Sequence, residues 1–280
     1  MAILPFLVGA SIAVTPLPQS YSAMQPTAPA PHPALWVVND DDTIIYLFGT
    51  FHALDGQENW FGQAVRTAFS QSDQLMLETL VPKPGVPSGI PATPGATPMP
   101  ITQAPAPVVQ LAPSASFMAT TKLVMSAGRA KGLSTARGAD AVLRDAADEV
   151  GKPVGGLESF QFQLNMFNSL PPATGPAGAT PTKDPQTVQA LGIVLAQLEA
   201  AWSHGDLDKF APILRQMQSQ SPQTYRTMFV ERNARWAQWI ADRLKTPGTV
   251  FVAVGAGHLS GPDSVQNQLA MLGVKSARVN

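Results

Sequence analysis

Cysteine is absent from all 280 residues. That removes disulfides, thiolate zinc sites and cysteine nucleophiles from consideration, and leaves any metal only nitrogen and oxygen ligands. Charge is scarce as well. Asp, Glu, Lys and Arg make up 13% of the chain and balance to a net charge of −1, which argues against nucleic acid as a partner, since that asks for a basic face. No serine stands in a nucleophile-elbow pattern and no glycine-rich loop suited to phosphate occurs. The apolar run at 3–14 has signal-peptide length and is too short for a membrane span. It lacks the customary Lys or Arg at its start. Histidine is rare too, with four in the whole chain.

What the chain does contain is enough apolar material, 45% of residues, for a sizeable core. Residues 1–33 read as a leader, an atypical signal peptide, followed by a Pro/Ala linker at 25–33. This predicts export to the periplasm or envelope, with membrane proximity through the leader. Residues 34–280 read as one α/β domain. It is interrupted at 81–113 by a flexible insertion holding ten prolines and at 171–185 by a second Pro/Gly/Ala/Thr linker.

Within the domain, Leu35–Val38 and Ile44–Phe48 flank a polar turn and predict a hairpin. A helix is expected over 58–71, with Trp60, Phe61, Val65, Ala68 and Phe69 on one stripe. Further helices are expected over 116–129 and 140–150, the latter with Val142, Leu143, Ala146, Ala147 and Val150 inward. Leu75–Leu77, 152–157 and 249–254 read as strands. The region 186–244 reads as mostly helical, with one long helix from Tyr225 to Leu244. Pro262 to Leu272 reads as a helix with proline in its first turn, and 274–279 as a terminal strand. Alternation of strand and helix favours a parallel sheet.

Two of those strands end in one signature. Ile44–Phe48 runs into Gly49-Thr50-Phe51-His52, and Val250–Val254 into Gly255-Ala256-Gly257-His258. Glycine lets the backbone turn sharply and approach a ligand closely, and ligands in open α/β sheets bind at the carboxyl ends of strands. Glu78 and Glu158 also follow apolar strands directly. If the strands are parallel, His52, Glu78, Glu158 and His258 meet on one edge. Two imidazoles and one or two carboxylates suit a divalent transition metal that keeps a position open for water. A remaining carboxylate would serve as general base.

Each of these residues also has a plain structural reading. Either histidine alone is most simply a cap after a glycine turn, and it is the recurrence that favours function. Glu158 alone could be the acid at a helix N-terminus, favoured by the dipole. Arg232, among Phe229, Trp236, Trp239 and Ile240, is either an exposed helical charge or a cation for an oxyanion or a substrate carboxylate. His32 and His204 read as structural or solvated. Asp40-Asp41-Asp42 lacks the spacing of a calcium loop and reads as the hairpin turn.

Taken in order, Leu35-Trp36, Gly49-Thr50-Phe51-His52, Leu77-Glu78, Gly156-Leu157-Glu158, Gly205-Asp206, Glu231-Arg232-Asn233 and Gly255-Ala256-Gly257-His258 resemble the TraB/PrgY/GumN family, which includes the Tiki proteins. The resemblance implies a mixed, largely parallel central sheet with flanking helices, related to the erythromycin-esterase and ChaN-like folds. It also implies a metal-dependent, peptidase-like hydrolase. On that basis His52 and His258 are metal ligands and Glu78 is a ligand or catalytic acid. Arg232 anchors the transition state or substrate, and Glu158 belongs to the catalytic set without a defined role. The cofactor would be manganese, cobalt or zinc, and the substrate a peptide or small molecule. The alternatives are a non-catalytic peptide- or haem-binding envelope protein, or a metal-independent, esterase-like hydrolase with His52 as base.

Overall fold

The computed structural model describes residues 31–57, 59–81, 115–171 and 185–280. The leader, the insertion beyond Val81 and most of the second linker lie outside the described residues. The residues rich in β-branched and aromatic side chains form β1 (Leu35–Asn39), β2 (Thr43–Thr50), β3 (Gln74–Thr79), β4 (Val154–Glu158), β5 (Gly248–Gly255) and the short β6 (Ala277–Arg278). Among the described residues these make one sheet in the order β4-β3-β5-β2-β1-β6. β4, β3, β5 and β2 run parallel, each to its neighbour. β1 is antiparallel to β2 and β6. The class is therefore α/β with a mixed, largely parallel sheet, as the alternation of elements predicts.

Helices flank this sheet: α1 (Gln63–Gln71), α2 (Ala115–Ala130), α3 (Ala139–Glu149), α4 (Phe160–Ser169), α5 (Pro185–Ser203), α6 (Ala211–Gln220), α7 (Pro222–Tyr225), α8 (Glu231–Arg243) and α9 (Val265–Met271). Strand β5 sits between β3 and β2, and Val250 to Val254 are at most 1% exposed. That double-sided burial is why its sequence is an unbroken apolar run and does not alternate. Aromatic rings brace the sheet: Phe48 lies 5.7 Å from Phe251 and 5.8 Å from Trp60, and Trp60 lies 5.6 Å from Trp202, between ring centres. Each such ring contributes about 2–3 kcal/mol through burial.

Several expected boundaries move, each for a local reason. Helix α1 starts at Gln63, after Gly62, so Trp60 and Phe61 precede it; Trp60 is buried by its ring contacts and not by a helical stripe. Val150 points outward, 69% exposed, because α3 ends at Glu149 and Gly151 turns the chain with φ +64°. Ser264, not Pro262, begins α9, its hydroxyl accepting the Asn267 N–H. The terminal strand shrinks to two residues paired with Trp36 and Val37. The helix expected from Tyr225 to Leu244 contains a π-helical turn at Arg226–Val230 just before α8. Turns of that kind often sit at functional sites.

Candidate functional site

The register of the parallel strands sets the site. Thr50 of β2 lies opposite Gly255 of β5, and Thr79 of β3 lies opposite Glu158 of β4. The strands therefore end at one level, and the residues just after or at their ends share a rim. His52, Glu78, Glu158 and His258 meet there, and α8 lays Arg232 across them.

Arg232 is the hub. Its side chain is 2% exposed, so it is not the exposed helical charge that its sequence setting allowed. Nη2 donates to Glu78 Oε2 at 2.9 Å, and Nε donates to both oxygens of Glu158 at 3.0 Å. Nη1 reaches the Met228 carbonyl at 3.4 Å and lies 3.3 Å from His258 Nε2. The guanidinium carbon stands 4.6 Å from the centre of the Trp236 ring, a favourable cation–π placement. Burial works against its charge, but Glu78 and Glu158 outweigh this and raise its pKa. Glu158 does not cap α4; Ser159 does, accepting the Phe162 N–H.

Glu78 completes the bridge. Its Oε1 accepts the Gly255 N–H at 2.6 Å and lies 3.6 Å from His258 Nε2. Burial favours the neutral carboxyl, yet His258, Arg232, His52 and the Gly255 amide outweigh it and hold the group down at about 2. Gly255 earns its place through space and not through backbone freedom. A Cβ there would lie 3.0 Å from Glu78 Oε1 and 3.1 Å from His52 Nε2. The missing side chain is the floor on which both groups rest.

Each histidine is oriented through Nδ1. Asn233 donates through Nδ2 to the carbonyls of Asp263 (2.7 Å) and His258 (3.4 Å), so its Oδ1 is an acceptor. His258 Nδ1, at 2.6 Å from that oxygen, must then carry the proton, which leaves Nε2 as a lone pair facing Glu78 and Arg232. The ring lies between Phe229 and Trp236, 4.8 and 4.5 Å between centres. Burial dominates here and lowers its pKa to about 3. His52 Nδ1 lies 3.0 Å from Asp140 Oδ1. The side chain keeps 60% exposure, so desolvation opposes its charge only in part, and the hydrogen bond and charge of Asp140 outweigh it and raise His52 to about 9.

Asp140 and Gly138 were given no place at the site by the sequence, and Asn233 stood there only as part of the ordered motif set, yet all three position the histidines. Asp140 looks like an ordinary acid in the first turn of α3. It reaches His52 because the Ala139 N–H bonds the Phe51 carbonyl at 2.9 Å, and because a Cβ on Gly138 would sit 2.2 Å from the His52 carbonyl oxygen. Only glycine lets the helix come that close. Trp202 likewise pins the first motif, its Nε1 donating to the Gly49 carbonyl at 2.7 Å. His32 and His204 stay apart from the site, edge to face with each other.

The donor types suit a divalent ion: two imidazoles held through Nδ1 with Nε2 turned toward one carboxylate is how ligating histidines are commonly oriented. Their spacing does not enclose one. Among the described residues no three His, Asp or Glu side chains stand so that they could hold a metal ion, and the Arg232 guanidinium touches two of the three donors. Beside the rim opens a cleft of about 260 Å³, walled by Leu77, Thr79 and Val81 on one side and Asp140, Arg144 and Asp145 on the other. A larger hollow of about 450 Å³ near Leu35, Tyr46 and Val279 includes none of the site residues.

Compared with known proteins, the chain matches the TraB/PrgY/gumN family over residues 34–105 and 95–278. No curated protein and no solved structure matches it.

Proposed function

We propose that the chain, which belongs to the TraB/PrgY/gumN family, is a metal-dependent hydrolase of peptide substrates. The observation that carries this reading is the orientation of two imidazoles, from separate strand ends, through Nδ1 so that each Nε2 is turned toward Glu78. His52 Nε2, His258 Nε2 and Glu78 would hold the ion. To hold it they would have to give up their contacts with Arg232, which touches His258 Nε2 and Glu78 Oε2.

The resting protonation states say why an ion is wanted. A carboxylate held down at about 2 is a weak base, and an imidazole raised to about 9 is protonated at neutral pH. Neither takes a proton from water readily. A divalent ion held by His52, His258 and Glu78 would supply what is missing, a water acidic enough to lose its proton near neutral pH. His258 has its lone pair ready, since burial keeps it neutral, whereas His52 must give up a proton. Glu158 keeps Arg232 compensated whatever Glu78 does, because both its oxygens are bonded to that guanidinium. The substrate enters from the open side of His52, 60% exposed, beside the 260 Å³ cleft. Kinship with the erythromycin-esterase and ChaN-like folds belongs to this proposal, as does export through the leader-like run at 3–14. N-terminal sequencing of the mature protein checks the latter.

Elemental analysis of wild type beside the His52→Ala/His258→Ala variant tests the reading. The expected result is one manganese, cobalt or zinc per wild-type chain, none in the variant, and peptide turnover only with metal. Turnover that survives exhaustive chelation would instead favour the metal-independent hydrolase. Ligand recovered intact from metal-loaded protein would favour a binding protein.

A further inference from the structure

Sequence offers Arg232 as the cation for a substrate carboxylate, but its donors are committed to Glu78, Glu158 and the Met228 carbonyl and its side chain is 2% exposed. One helical turn further along α8 stands a second arginine in the opposite condition. The Arg235 side chain is 35% exposed, and its Nη2 reaches Glu158 Oε1 only at 3.4 Å, the long end of a hydrogen bond. Both oxygens of that carboxylate already take the shorter 3.0 Å bonds from Arg232. Arg235 is thus the lesser partner in a shared ion pair at the rim, and that long bond is the one hydrogen bond its guanidinium makes to the described residues. Its guanidinium is nevertheless held in place, 4.8 Å from the centre of the Phe162 ring, on a residue itself 38% exposed.

We propose that Arg235 is the substrate anchor, binding a carboxylate of the peptide. This deepens the hydrolase reading and rests on it. A planar fork stacked on an aromatic ring is pre-organised for bidentate contact with a carboxylate and loses little freedom on binding. The Arg232–Glu158 pair separates Arg235 from Glu78, so the anion it takes belongs to a residue beyond the scissile bond. That anion is either the chain-terminal carboxylate or an acidic side chain. Phe162 is the positioning residue for Arg235.

The test uses the full-length chain in manganese buffer and four matched hexapeptide pools. The pools carry free or amidated C-termini, and Glu or Gln within; retained peptide and cleaved product are both quantified. Wild type should retain a carboxylate-bearing pool at least about tenfold better than its neutral match, the scale of one charge-assisted bond. The pair that differs identifies the terminal or the side-chain source. Arg235→Met, which keeps the packing on Phe162, should bring the ratio to about one, while Arg235→Lys keeps part of it. Equal retention of all pools by wild type, or a preference surviving in Arg235→Met, overturns the assignment. Carboxylate preference without any product removes the hydrolase reading but leaves Arg235 as an anchor. Product without preference removes Arg235 alone.

Discussion

The two Gly-x-x-His segments have the same signature, follow neighbouring parallel strands and end at one rim, yet their imidazoles are in opposite states. His52 has a side chain 60% exposed, pairs with Asp140 and is raised to about 9. His258 has a side chain 7% exposed, lies between Phe229 and Trp236, and is lowered to about 3. The motif fixes where an imidazole stands; its surroundings fix whether it carries charge. The glycines differ as well. Gly49 is packed under Ala256, 3.3 Å from where its Cβ would lie, whereas Gly255 leaves the gap shared by Glu78 and His52.

The strongest way to break this contrast is to remove the cation beside the buried histidine. Arg232→Ala leaves Glu78 and Glu158 together without their hub, and losing one partner of a buried pair costs about 3–5 kcal/mol. Urea unfolding should report a loss of that size, and a change under about 1 kcal/mol would mean that the carboxylates find other partners. Next is Asn233→Leu, which strips the Nδ1 acceptor of His258 and two donors to backbone carbonyls. We expect about 1–3 kcal/mol and the loss of a single His258 tautomer in nitrogen NMR spectra.

Gly255→Ala sharpens the comparison at the shared floor. The new methyl must displace Glu78 Oε1 or His52 Nε2, so metal binding should fall clearly while stability falls about 1–3 kcal/mol. The same change at Gly49 should cost stability without touching metal affinity, as read by calorimetry.

Asp140→Asn is the smallest perturbation, under about 1 kcal/mol, because the pair is largely solvated. It should lower the raised pKa of His52 toward its ordinary 6.5, by under about 0.7 pH unit, the equivalent of that loss, visible in proton NMR titration. Since that folded value is raised, the stability Asp140 adds is whole below pH 6.5 and gone once pH passes 9. The difference between variant and wild type should vanish by that point. His258 acts in the other direction. Its folded value is depressed to about 3, so its neutral burial holds above pH 6.5 and destabilises the fold as pH falls toward 3.

Much of this was legible in the residues. The unbroken apolar run of β5, the alternation of strands and helices, and the four polar residues placed just past strand ends were enough to predict a parallel rim with His52, Glu78, Glu158 and His258 on it. Arg232 was singled out by its aromatic neighbours, but its role was not readable, because nothing local distinguishes a helical arginine that meets solvent from one that meets two carboxylates. The π-helical turn at Arg226–Val230, which changes the helical phase just ahead of Arg232, leaves no mark in periodicity. Asp140 was hidden for a different reason: an acid in a helix's first turn is already explained by the dipole, and its partner lies 88 positions away.

By itself the order of amino acids determined which groups are available and at which strand ends they sit, because strand burial and glycine punctuation are local properties of the chain. Tertiary structure alone decided what those groups are electrically. Charge state depends on desolvation and on neighbours within a few ångströms, and for these residues every such neighbour comes from a distant part of the chain. It is the docking of α3 against the first motif and of α8 against the second that raises the pKa of one histidine and lowers that of the other.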